Sequence, residues 1–163
     1  MIGKKITEAF NSQLNAELYS SYLYLSMSAY LASRNLPGFA GWMRVQVKEE
    51  LQHAMKFYDH IIARGGKVQL TAIDSPPMKW DGALAVAEHT CKHEKKVTGL
   101  INDLVSLAKS EGDSESGKFL QWFVDEQVEE EENVGKVLVM VEKAGDSQSE
   151  LQAVDRELAK RGK

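Results

Sequence analysis

The sequence predicts an all-α protein: a four-helix bundle with a long crossover between the second and third helices, followed by a short fifth helix. Three observations carry this. Apolar residues recur at steps of three and four through four long stretches, the period of one helical face. The chain has only 3 prolines and few β-branched runs, which argues against sheet. Its breaks are short and rich in glycine or proline, except for one long segment near the middle.

The first helix is expected over about 4–33, with Ile6, Phe10, Leu14, Leu18, Ser21, Leu25 and Ser28 as its inward stripe. Asn35-Leu36-Pro37-Gly38 is a short break, and Pro37 suits a first helical position. So short a loop makes the first two helices antiparallel neighbours. The second helix presents Phe39, Met43, Gln46, Val47, Ala54, Phe57 and Ile61, and should stop near Arg64 before Gly65-Gly66. Residues 67–81 then lack helical periodicity and contain Pro76-Pro77. About fifteen extended residues reach roughly 50 Å, the length of a helix of about thirty residues. The segment can therefore run the length of the bundle and start the third helix parallel to the second. Val68, Leu70, Ile73, Met78 and Trp80 make it too apolar for a disordered linker, so a packed crossover is expected.

The third helix should begin with Asp81 as its N-cap and turn Leu84, Ala87, Cys91, Glu94, Thr98, Ile101, Val105 and Ala108 inward. Glu111-Gly112-Asp113-Ser114 is a tight break. The fourth helix presents Leu120, Phe123, Gln127, Glu130, Val134, Val137 and Val141, and ends at Ala144-Gly145. A short fifth helix, over about 147–160, carries a narrow stripe of Leu151, Val154 and Leu158. The tail Lys160-Arg161-Gly162-Lys163 is expected to fray.

A chain of 163 residues favours one domain, with the bundle over about 4–145. The net charge of -4 gives no general case for nucleic-acid binding. Met1-Ile2-Gly3-Lys4-Lys5 leads straight into an amphipathic pattern, so no signal peptide is expected, and no stretch is long and apolar enough for a membrane span. The single cysteine, Cys91, excludes an internal disulfide and fits a reducing cytoplasm, the expected location.

The chemistry centres on Glu49-Glu50-Leu51-Gln52-His53. At about 100° per residue, Glu50 points nearly as Met43 and Phe57 do, so a carboxylate falls on the face that should be buried. His53 lies one turn on, close enough to share a ligand with it. Taken alone, this spacing is also that of a solvated glutamate and a satisfied histidine. The other helices change the balance. Glu17, Glu94 and Gln127 with Glu130 also fall in apolar stripes, at similar depths along their helices. Glu50 follows Glu17 by 33 residues, and Gln127 follows Glu94 by the same 33. In an antiparallel bundle such mid-helix positions meet at one height. Four carboxylates cannot stay there as bare charges, because desolvation costs on the order of several kcal/mol per ion. Four carboxylates and one imidazole suit Fe(II) or Mn(II) rather than thiolate-seeking zinc, and they balance two divalent ions roughly 3.5–4 Å apart.

Glu17, Glu50-x-x-His53, Glu94 and Gln127-x-x-Glu130 together resemble the ferroxidase centre of prokaryotic non-haem ferritins. The likeness covers nearly the whole chain, including Asn15-Ala16-Glu17-Leu18-Tyr19-Ser20-Ser21 and Phe119-Leu120-Gln121-Trp122-Phe123-Val124. It implies an iron-storage protein that oxidises Fe(II) with O₂ or peroxide at a di-iron centre within each subunit. Fe(III) mineral would collect inside a hollow shell of twenty-four copies. It assigns Glu17, Glu50 and His53 to one iron, and Glu94, Glu130 and the shared Glu50 to the other. Gln127 would be a weak ligand or donor, and Glu49, Glu126 and Glu129 a third iron site toward the cavity. Tyr24 would adjoin the centre; from the sequence alone, Tyr24 and Trp122 read as packing residues, and Glu131 and Glu132 as surface.

The chain departs from the wider di-iron superfamily, which carries Glu-x-x-His on two helices. Here it occurs once, which disfavours bacterioferritin-like and rubrerythrin-like readings. Bacterioferritins place a haem-binding methionine two residues before the matching histidine; Leu51 stands there, so no haem is expected. A DNA-protecting mini-ferritin would build its iron site between subunits, and a metal-free helical adaptor would not need inward carboxylates at matched heights.

Overall fold

In the computed structural model, which describes residues 1–161, the chain forms α1 (Lys4–Ser33), α2 (Pro37–Ala63), α3 (Ala83–Ser110), α4 (Ser114–Ala144) and α5 (Gln148–Leu158). Among the described residues there is no strand. The architecture is a four-helix bundle plus a short terminal helix, as the periodicity predicts. Gly162 and Lys163 of the tail expected to fray lie outside the described residues.

Local chemistry sets the helix ends. Asn35 adopts φ 58°, and the N–H groups of Asn35 and Leu36 donate back to Ala32 and Leu31. This closes α1 with a left-handed residue, after which Pro37 opens α2. At the other end of the bundle Asp113 caps α4, accepting from Ser116 N–H at 3.0 Å and pairing with Arg64 at 3.2 Å. Asp81 is not the cap of α3. The helix begins two residues later, and Gly82 between them has φ 120°, which redirects the chain and takes the Asp81 carboxylate out of capping position.

The crossover, residues 64–82, is packed for a different reason from the one its composition suggests. Leu70, Ile73 and Met78 are exposed; only Val68 and Trp80 reach the core. Polar groups of α1 hold the rest. Asn11 accepts from Gln69 N–H at 2.7 Å and donates to Lys67 O at 3.0 Å. Asn15 donates to Thr71 Oγ1 at 2.9 Å, Ser26 to Pro77 O at 2.6 Å and Tyr30 to Trp80 O at 2.5 Å. The segment is strapped along α1 from Asn11 to Tyr30, mainly by its backbone groups.

The inward stripe of α4 is as predicted. On α1 Ile6, Phe10, Leu14 and Ser28 are buried as predicted, and on α3 Ala87, Glu94, Ile101 and Ala108, while the rest of each buried face lies to one side of the predicted stripe. Leu25 and Leu84 are exposed, and the buried face runs through Glu17, Ser20, Tyr24, Met27 and Leu31 on α1 and through Val86, Thr90, His93 and Val97 on α3. Small and polar residues occupy much of the true face, so apolar character alone points to its edge. Two apolar clusters result. One gathers Met27, Leu31, Phe39, Met43, Val86 and Val137; the other gathers Phe10, Phe57, Ile61, Ile101, Leu120 and Phe123. Between them the bundle is polar.

α5 runs beside the first turns of α2. Gln152 donates to Asn35 O at 3.2 Å, and Leu158 joins the first cluster. Buried Asp155 accepts from the N–H groups of Gly38 at 3.1 Å and Phe39 at 2.8 Å. Leu36, at the N-cap position of α2, has no side-chain acceptor, so the cap comes from 117 residues away. Gly38 makes the approach possible: a Cβ there would lie 1.9 Å from the Asp155 carbonyl oxygen. Replacing Asp155 with Ala should lower the unfolding free energy by about 1 kcal/mol or more. Chemical denaturation checks this, and an unshifted midpoint would show that the remote cap does not stabilise α2.

Candidate metal centre

The polar layer contains Glu17 from α1, Glu50 and His53 from α2, Glu94 from α3, and Gln127 and Glu130 from α4, all buried. The four glutamates are each no more than 3% exposed. Two aromatic rings flank His53 edge-on, Trp122 at 5.5 Å and Phe123 at 5.9 Å between centroids.

Neutral donors steady most of these carboxylates. Gln13 donates to Glu17 Oε1 at 2.9 Å, and Gln46 to Glu130 Oε2 at 2.8 Å. Glu94 accepts from the Tyr24 hydroxyl on one oxygen and from Gln127 at 3.2 Å on the other. Gln127 also donates to Thr98, whose hydroxyl donates in turn to half-buried Glu131 at 2.6 Å, so Glu131 is not simply surface. Oε2 of Glu17 and Oε2 of Glu50 are fully buried with no hydrogen-bond partner among the described residues. The latter lies 3.4 Å from His53 Nδ1.

Unpartnered buried oxygens are what a cation would satisfy. Glu17, Glu50 and His53 each offer a ligand atom within 4.8 Å of the others, and so do His53, Glu126 and Glu130. Glu94 joins neither group, being held toward Tyr24 and Gln127. The proposed outer trio is not gathered either. Glu126 lies 3.8 Å from His53 Nε2, Glu129 is exposed, and Glu49 pairs with Arg161 at 2.8 Å.

Burial raises every inner carboxylate above its usual range. For Glu17 the Glu50 charge adds to burial, and for Glu50 the Glu94 charge does. Burial, with Glu94 beside it, lifts Glu130 to about 7. Burial also raises Glu94, though Tyr24 and Gln127 oppose the shift. Burial and then the Glu94 charge hold the Tyr24 phenol well above its ordinary value, which keeps it a donor.

Several partners escape sequence reasoning. Gln13 and Gln46 each precede an inward glutamate by four residues, a repeat that could have marked them. Ser20 and His93 share a 2.7 Å hydrogen bond, with burial first and His89 second lowering His93 to about 4. Neither local spacing nor charge signals that pair.

A model described as a Ferritin-like domain matches residues 7–144. The bacterial non-heme ferritin of Bacteroides fragilis (strain 638R) is 43% identical over 147 residues, covering 90% of this chain and 92% of that protein. That of Escherichia coli O6:H1 is 33% identical over 159 residues, covering 98% and 96%. An open pore ferritin from the hyperthermophilic archaeon Archaeoglobus fulgidus superposes with a TM-score of 0.97 at 47% identity, covering 99% of both chains.

The raised carboxylates set a pH dependence. A carboxylate whose folded pKa is raised holds its proton more tightly when folded, so it weakens the fold as pH climbs from its unfolded pKa through its folded one. Glu50→Gln removes a charge and keeps the shape. In the metal-free protein it should raise stability by about 1 kcal/mol at pH 8 and by less at pH 5. Denaturant titrations at both pH values test this; a variant less stable than wild type at pH 8 would mean that Glu50 is solvated or paired.

Proposed function

The chain belongs to the ferritin family as a prokaryotic non-haem ferritin, and on that premise we propose that its buried polar layer is an intra-subunit di-iron ferroxidase centre. The protein oxidises Fe(II) and stores iron. The observation that carries the site assignment is the pair of unpartnered buried oxygens on Glu17 and Glu50 within a layer of four carboxylates.

In this reading Glu17, Glu50 and His53 take one Fe(II). Glu94 and Glu130 take the second, with Glu50 bridging and Gln127 beside it. Entry of Fe(II) displaces the protons that these carboxylates hold, which couples binding to proton release. Each Fe(II) then gives one electron to the oxidant. O₂ accepting two electrons and two protons leaves as hydrogen peroxide, and peroxide accepting the same leaves as water. The Tyr24 phenol donates to one Glu94 oxygen and so fixes the orientation of that carboxylate.

Assembly follows the same premise: the chain forms a cage-building oligomer, and the proposed count is twenty-four. Exposed Tyr22 and Leu25 on α1, with Leu70, Ile73 and Met78 on the crossover, support burial against other copies. Among the described residues no helix is long and apolar enough to cross a membrane. The lone Cys91 supports a cytoplasmic setting.

Stopped-flow oxidation of Fe(II) tests the centre. Glu50→Ala should abolish the fast phase, while Glu132→Ala, at an exposed position paired with Lys136 at 2.6 Å, should leave it intact. Equal rates for wild type and Glu50→Ala would refute the assignment.

A further inference from the structure

Taking the ferroxidase assignment above as its basis, we propose that Arg161 is a built-in cationic plug that excludes a metal ion from the Glu49 side of the centre. Arg161 stands three residues beyond α5, where a frayed tail is predicted. Instead it is seated on three groups of α2. Its guanidinium lies over the Trp42 ring at 4.6 Å. It donates to Glu49 Oε2 at 2.8 Å and, through the other terminal nitrogen, to Gln46 Oε1.

α5 enforces this position. Gln152 on Asn35, Asp155 on Gly38 and Phe39, and Leu158 in the core set the helix parallel to α2. The next turn of chain therefore delivers residue 161 beside the second to fourth turns of α2.

Two consequences follow for the metal layer. First, a positive charge already engages one oxygen of the Glu49 carboxylate, so a divalent ion must compete with it to use Glu49 as a ligand. Second, by fixing the Gln46 oxygen, Arg161 aims the Gln46 amide at Glu130, 2.8 Å away. The C-terminal turn thus reaches an inner carboxylate through one side-chain amide. His53, Glu126 and Glu130 already converge, and Gln46 links Glu130 through Arg161 to Glu49, so a Glu49 released from Arg161 is the carboxylate that would be added to that convergence.

The test is anaerobic calorimetry of Fe(II) on the assembled, metal-free protein. Wild type should bind about two Fe(II) per subunit, and Arg161→Ala about three, from site count. Arg161→Gln should show the same gain, since it retains a polar side chain without the charge. Arg161→Ala combined with Glu49→Ala should return to about two, because the freed ligand is gone. Sedimentation verifies that each variant is assembled. Wild-type stoichiometry and affinity in both single variants overturns the plug, even where Glu50→Ala loses the inner pair. Wild-type stoichiometry in Glu50→Ala overturns the centre, and the plug with it.

Discussion

Burying four carboxylates at one level of a helical bundle is the constraint on which the rest depends. Each charge loses its hydration there, and neighbouring charges raise Glu17, Glu50 and Glu130 further. The fold answers by dividing its apolar interior. One cluster lies on each side of the polar layer, and each is built from all four long helices. Stability is gathered at the two ends, so that the middle can remain electrostatically poor without unfolding the chain.

The donors around the layer show how far the protein goes toward satisfying it. Gln13, Gln46, Gln127 and Tyr24 give hydrogen bonds to carboxylates without adding positive charge. A buried lysine or arginine in their place would neutralise the layer and compete with any metal. Neutral donors orient the oxygens and leave the negative potential in place. Glu94, with both oxygens engaged, is held ready, while Glu17 and Glu50 each retain an open oxygen.

Much of this is legible in the sequence because helical period converts spacing into direction. The fourth helix is the clearest case, with Gln127 and Glu130 set among Leu120, Phe123, Val134 and Val137, all buried. The same method fails where the buried face is not apolar. On α1 it follows Leu18, Ser21 and Leu25, while the structure buries Ser20, Tyr24 and Met27. It also fails where a partner is far along the chain. Nothing within one turn of Gln46 reveals Glu130 or Arg161, and nothing near Asp155 reveals the amides of Gly38 and Phe39. Such contacts depend on how finished helices are laid against one another. The crossover shows a subtler version: its apolar residues suggest packing, yet the side chains of Asn11, Asn15, Ser26 and Tyr30, donating to its backbone carbonyls, do most of the fastening.

The remote cap on α2 also imposes an order on biogenesis. A chain leaving the ribosome exposes residues 37–63 when more than half of its length has yet to emerge. The first turn of α2 must then wait, its amides bonded to water, until Asp155 has emerged and α5 has swung back over Gly38. A nascent chain stalled inside α4 would hold a second helix whose start is unsealed. Completion of translation, rather than collapse of the bundle, is the event that locks that end of the subunit.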